Sequence, residues 1–300
     1  MKPYPLLLAA FALGAHAQSH DHDHGPAQAA AAAGTAPAAA PATRRPGAAR
    51  EWTRQPLLLA GRGARGERAT ALLRPQGIAA ATVTVFAAEG PQDRLEVTYP
   101  VTADGAKIEA ATSKAGNYHW VTAREESDGE IRMASTAWYF GNPGPSPKDL
   151  LQRPRHELEI VPAPLPREHA SYRESEKWRF LVRWNGQALA GQTIQLETEF
   201  GSRSSFLTDA AGFATVLFPR DFKPAEAPTG GEHGPRRAAF VLSTTREGED
   251  RRYLTAFNHH YSQDGDRNKS LGWGAAFGLV GMIAATPLLR RRKTGGNNHV

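Results

Sequence analysis

From Glu51 to Tyr261 the apolar residues recur at every second position in short runs broken by turn residues, and no stretch carries the 3.6-residue spacing of an amphipathic helix. This alternation is the strongest constraint on the fold, because a period of two puts one face of an extended strand in a core and the other outside. Trp178, Phe180, Val182 and Trp184 fall on one face, with Arg179 and Arg183 on the other. Asn185-Gly186 follows, a strong two-residue hairpin signal. Ile194, Leu196, Thr198 and Phe200 alternate with Gln195, Glu197 and Glu199. The segment Ser205–Thr208 then runs into the turn Asp209-Ala210-Ala211-Gly212, Phe213–Phe218 is apolar enough to be central, and Ala239–Thr244 and Tyr253–His259 supply the last strands. With Glu157–Val161 in front, this half counts about seven strands, the number of an immunoglobulin-like sandwich.

The first half reads the same way, with strands expected over Ala80–Ala87, Arg94–Val101, Asn117–Ala123 and Ile131–Phe140. The loop Gly141-Asn142-Pro143-Gly144-Pro145-Ser146-Pro147 and the stretch Pro162–Pro166 mark a boundary. The expected fold is all-β, with one or two immunoglobulin-like β-sandwich domains, a signal peptide and one C-terminal transmembrane helix. Two stacked domains over 51–155 and 156–262 are preferred to one elongated sandwich.

The two ends give an address. Met1-Lys2, an apolar run from Leu6 to Leu13 and Gly14-Ala15-His16-Ala17 form a secretory signal over 1–17, with cleavage after Ala17. Residues 18–50 open with histidines and continue as Ala, Pro, Gly and Thr, a composition that buries too little apolar area to offset the entropy of ordering. After a juxtamembrane linker at 263–270, Leu271–Leu289 is apolar and uncharged, long enough at 1.5 Å per residue to cross a hydrocarbon core of about 30 Å. Trp273 suits the interface, and Arg290, Arg291, Arg292 and Lys293 in the tail 290–300 suit the cytoplasmic side. The expected location is a bacterial inner membrane, crossed once, with the body in the periplasm. A sorting tail removed after export also pairs an apolar run with terminal arginines.

Composition removes several function classes. The chain has no cysteine, which excludes disulfides, thiolate metal sites and thiol catalysis. Four of its +6 formal charges sit in the 290–293 cluster, so the remainder is near balance and nucleic acid is not an expected partner. His-Glu-x-x-His, Gly-x-Ser-x-Gly and phosphate-loop motifs are absent, and Glu125-Glu126 lies in polar turn-like sequence, so no enzyme is expected. Asp264-Gly265-Asp266-Arg267-Asn268 starts like a calcium loop but lacks its later glycine, and its twelfth position is Ala275 in the apolar run.

Gln18-Ser19-His20-Asp21-His22-Asp23-His24 is the sharpest chemical feature. Imidazoles at alternate positions with carboxylates between them suit a divalent transition ion such as Ni, Co, Cu or Zn. A mature chain starting at Gln18 places His20 third, so that a free amine, two deprotonated amides and that imidazole make a square-planar nitrogen set for Cu(II) or Ni(II). His259 and His260 are weaker ligand candidates. Adjacent in a strand, they point to opposite faces, His259 with Phe257 and Tyr261, His260 with Asn258. His119, between Tyr118 and Trp120, is expected to face solvent, and His156, His169 and His233 sit near loops.

Glu157-Leu158-Glu159-Ile160-Val161-Pro162, then Phe180–Gly191 with its Gly186-Gln187-Ala188-Leu189-Ala190-Gly191 turn, then Thr208-Asp209-Ala210-Ala211-Gly212-Phe213-Ala214-Thr215 together resemble the NikM-like envelope proteins, as does Ala115-Gly116-Asn117-Tyr118. The second half also resembles transthyretin-like and carboxypeptidase-regulatory-like domains, where the same turns encode a hairpin and no chemistry. The resemblance covers roughly residues 55 to 260. It implies an exported β-body associated with nickel or cobalt uptake, working beside an envelope transporter or receptor. The competing expectation is an adhesion or scaffold module that binds protein or glycan.

Overall fold

The computed structural model describes residues 52–61, 69–112, 118–141, 146–167, 170–223, 236–248, 250–264 and 271–290. Those from 52 onward belong to one compact unit beginning at Arg50. The expected signal peptide and Gln18, His20, Asp21, His22, Asp23 and His24 lie outside the described residues, as do His169 and His233.

Strands dominate, and the fold is all-β. The Asn-Gly signal produces the hairpin it encodes: Asn185 (φ 47°) and Gly186 (φ 79°) both adopt the left-handed conformation, joining β10 (Lys177–Trp184) to β11 (Gln187–Ala188). Asp209 organises the next turn, its Oδ1 accepting hydrogen bonds from the backbone N–H of Ala211 and Phe213, both 2.9 Å. Gly212 (φ 77°) must be glycine, since an added Cβ would lie 2.9 Å from the Leu189 backbone nitrogen.

Three layers result. The middle one is a nine-stranded sheet in the order β13 (Arg203–Leu207), β12 (Thr193–Thr198), β15 (Arg237–Glu247), β16 (Arg252–Ser262), β7 (Glu130–Tyr139), β6 (Tyr118–Ser127), β3 (Thr82–Ala87) and β4 (Glu96–Pro100), with β9 (Tyr172–Arg173) beside the end of β16. On one face lies the sheet of β8 (Leu158–Pro162), β10, β11 and β14 (Phe213–Leu217). Between the two sits a core that includes Trp120, Phe180, Val182, Phe240 and Phe257. On the other face, β1 (Leu57–Ala60), β2 (Thr70–Gln76) and β5 (Ala106–Glu109) form a small sheet over Val83, Val85, Val121 and Ala134.

The middle sheet crosses the expected boundary at 155/156. Its first-half strands join its second-half strands through the parallel pair β7–β16, in register from Glu130↔Arg252 to Ser135↔Phe257. The aromatic core likewise mixes Phe86, Tyr118 and Trp120 with Phe180 and Phe257. The halves therefore share the middle sheet and the aromatic core on one of its faces.

The cover sheet also corrects the expectation for His119. Its ring is 1% exposed, accepting at Nε2 a hydrogen bond from the Ala111 backbone N–H (3.1 Å) and meeting Phe140 edge-on at 4.9 Å. β6 is buried on both faces, so alternation there separates two cores and not core from solvent.

Arg183 faces away from Phe180 and Val182 as its parity requires, yet it is 2% exposed beneath α1 (Lys148–Gln152). Its Nε donates to Glu159 Oε2 (2.7 Å), while Nη1 and Nη2 donate to the Gln152 carbonyl (2.8 Å) and the Arg153 carbonyl (2.6 Å). The guanidinium thereby satisfies carbonyls that the end of a helix leaves open.

The second helix, α2, spans Leu271–Arg290 and coincides with the apolar run. Its side chains are described from 275 to 286 only, and among the described residues no helix is long and apolar enough to cross a membrane.

Candidate functional site

The β7–β16 ladder stops before either strand does. Beyond Ser135↔Phe257, β7 continues to Tyr139 paired with β6 alone, while β16 continues to Ser262 and meets β9 only at Tyr261↔Tyr172 and Ser262↔Arg173. Between those limits the edge of β16 at Asn258, His259 and His260 has no strand partner among the described residues. A buried carbonyl without a partner is costly. Side chains supply the missing donors: Thr136 Oγ1 donates to the Asn258 carbonyl (2.8 Å), and His259 Nδ1 lies 3.3 Å from the His260 carbonyl. If Nδ1 carries the hydrogen for that contact, Nε2 keeps a free lone pair.

Asn258 bridges from the edge of the gap to β1. Its Oδ1 accepts from the Leu58 N–H (2.8 Å) and its Nδ2 donates to the Leu58 carbonyl (2.9 Å), both buried. One side-chain amide thus stands in for a neighbouring strand and pins β1 to the middle sheet.

Two cavities of about 190 and 200 Å³ open at this gap. They share Ala137, Trp138, Tyr139, His259 and His260. The first is bounded in addition by Tyr118, Leu165, Arg167, Ser171 and Arg237, the second by Leu58, Ala60, Leu73 and Thr136. The gap is therefore reached from both faces of the sheet. Tyr118 and Tyr139 are a tilted ring pair at 5.1 Å, and the Arg167 guanidinium lies 5.8 Å from the Tyr118 ring centre.

His259 and His260 take the opposite faces that alternation requires, yet both reach the gap because it cuts through the sheet. Their ring centres are 6.1 Å apart. His259 is half-buried among Tyr172 (5.6 Å, edge-on) and Phe257 (6.3 Å, stacked), and that desolvation pushes its pKa down to about 4. It is a neutral imidazole at ordinary pH. His260 is exposed. Among the described residues, no three His, Asp or Glu side chains are grouped so as to hold a metal ion.

A second polar cluster lies under α1. Glu159 is held between Arg183 (2.7 Å) and Arg155 (3.7 Å), all three almost fully buried. Desolvation brings the Arg155 pKa down to about 10 and that of the neighbouring His156 to about 4. Arg155 remains charged and His156 neutral. No cavity borders these groups among those described above, and they serve to tie α1 to β8 and β10.

Trp138, Tyr139, Arg167 and Arg237 are not singled out by sequence reasoning. The one available signal is Trp138-Tyr139-Phe140, an aromatic run directly before the Gly- and Pro-rich loop. Nothing in that run tells that the neighbouring ladder ends early.

No family model and no curated protein matches the chain. Solved structures do match, among them one described as "Structural insight into host cell surface retention of a 1.5-MDa bacterial ice-binding adhesin", at 13% identity and a TM-score of 0.23 over 70% of this chain. The match spans 65% of that structure's length.

Proposed function

We propose that the chain is a tethered envelope protein that works by binding, and that the gap between β7 and β16 is its recognition site. The observation that carries the reading is the pair of cavities sharing five residues across an interrupted sheet. A sheet normally closes its ladders. Here the strands part, half-buried aromatic side chains line the opening, and side chains satisfy the stranded carbonyls. Concave, mostly apolar openings with a few placed polar groups are the usual form of a small-ligand site. In this reading residues 1–17 direct export, the body is an immunoglobulin-like sandwich, and 271–289 anchors it to the inner membrane.

The test is a set of small neutral and charged ring compounds, followed by chemical shifts or crystal soaks of the full chain. Binding should cluster at Trp138, Tyr139 and His259. Failure of every compound to perturb those residues would overturn the site. Protease protection of membrane preparations checks the topology: the body should be cut only from the periplasmic side.

A second reading follows from the histidine-rich start. His20, His22 and His24, with Asp21 and Asp23, would act as a mobile chelator of Ni, Co, Cu or Zn at the end of an Ala/Pro tether, handing the ion to an envelope transporter or receptor. The resemblance to NikM-like proteins belongs with this reading. His259 and His260 would be the ligands offered by the body. Deleting residues 18–24 should then lower metal stoichiometry or affinity. Unchanged binding would remove the tail's role, and loss of binding in a His259→Gln, His260→Gln double variant would place the ion in the gap.

A further inference from the structure

We infer that the cavity of about 190 Å³ at the gap binds a carboxylate carried on a six-membered ring, the ring lying against Tyr118 and Tyr139 and the anion meeting Arg167 and Arg237. This rests on the gap being a ligand site and adds the chemistry of what it takes. Among the described residues that line this cavity, the charged side chains are Arg167 and Arg237, and there is no Asp or Glu. Two guanidiniums lining one cavity attract an anion.

The two cations arrive from different elements. Arg167 comes from the segment between β8 and β9 and lies over the Tyr118 ring. Arg237 starts β15 opposite Ser262, two positions from the Ala239↔His260 pair, so Arg237 and His260 rise from one face of the sheet while Tyr118, Tyr139 and His259 belong to the other, and the gap lets both sides line one cavity. A planar guanidinium meets a carboxylate with two parallel N–H donors, which fixes orientation as well as charge. Tyr118 and Tyr139 are paired at 5.1 Å and Trp138 borders the same space, so a flat or puckered ring finds an apolar surface beside the cations. A volume of about 190 Å³ suits one ring with its carboxylate and excludes a folded peptide. Two sources share this chemistry, an acidic sugar and an aromatic acid.

The experiment is calorimetric titration of the full-length protein with two matched pairs, glucuronate against glucose and benzoate against benzamide. The acid of one pair should bind at least tenfold tighter than its neutral partner, and the pair that does so identifies the source. Arg237→Gln and Arg167→Gln should each lower that affinity about tenfold, leave the neutral compound's affinity unchanged and leave the melting temperature unchanged. Because Arg237 and Arg167 are exposed, both variants should fold. Equal binding of acid and neutral partner, or full affinity in both arginine variants, overturns the anion preference while the gap remains a site. No binding by any of the four compounds overturns both.

Discussion

Replace Glu159 by alanine and two buried guanidiniums lose their shared anion. Glu159 is 4% exposed, and the Arg183 and Arg155 side chains are 3% and 1% exposed. The variant removes a charged 2.7 Å hydrogen bond and strands the Arg155 backbone N–H, which donates to the same carboxylate at 3.2 Å. Breaking a buried pair by removing one partner costs about 3–5 kcal/mol, because the surviving charge has no compensation. Here two cations survive, so the upper half of that range is expected. Arg183→Met should cost less, since it removes one of the two like charges, although it frees the carbonyls at the end of α1. Arg155→Met should cost least, because its Nε and Nη2 make no hydrogen bond. The pair Arg124–Glu157 is an internal control: it is as short, at 2.8 Å, but about one-third exposed on each side chain. Arg124→Gln should therefore cost only about 0.2–1 kcal/mol. Urea unfolding followed by both tryptophan fluorescence and circular dichroism measures all four. With a slope of about 2 kcal/mol per molar, Glu159→Ala should lower the midpoint by roughly 2 M at constant slope. A loss under about 1 kcal/mol for Glu159→Ala, or one no larger than that of Arg124→Gln, would refute the claim that burial makes this carboxylate indispensable.

Other outcomes follow from the same geometry. Gly212→Ala should destabilise by about 2–4 kcal/mol, combining a left-handed backbone with a Cβ 2.9 Å from backbone, whereas Gly129→Ala (φ 75°, open space around it) should cost only about 1 kcal/mol, and equal losses would contradict the clash. Asn258→Ala should cost about 2–4 kcal/mol by stranding both the N–H and the carbonyl of Leu58, measured by the same unfolding curves and by faster hydrogen exchange at Leu58. His156 and His259 have folded pKa values of about 4, below the unfolded value near 6.5, so the unfolded chain takes up protons first as pH falls. Stability should be full above about pH 7 and decline between 6.5 and 4 by on the order of 3 kcal/mol for each of the two histidines, and His156→Gln should remove about half of that decline. A melting temperature independent of pH across that window would contradict the buried neutral histidines.

What could be read in advance was whatever depends on neighbours in sequence. The strands around Phe180, Leu196, Phe240 and Phe257 follow from period-two alternation, and the turns at Asn185-Gly186 and Asp209–Gly212 follow from residues that tolerate or stabilise those conformations. The cover strands escaped. Leu57–Ala60 and Ala106–Glu109 are four residues each, too short to show a period, and they become strands through the sheet they cover. The same cover hid the burial of His119. The face of each of His259 and His260 was legible from parity, but their shared opening was not, because it depends on where a parallel register ends more than a hundred residues away in sequence. Arg183 shows the reverse: its face was right, and only α1 above it makes that face interior.

The parallel β7–β16 pair also sets an order of events. β16, near the centre of the middle sheet, is the last strand among the described residues and ends at Ser262, shortly before α2 begins at Leu271. A chain made N-terminus first exposes β7 and β15 as raw edges until almost the whole body has been made. Such edges are templates for pairing with another chain, and long-range pairing is slow to form. The sheet therefore closes only when nearly the whole body is present, which makes the final strand both keystone and timer and predicts a need for a holding chaperone until β16 is in place.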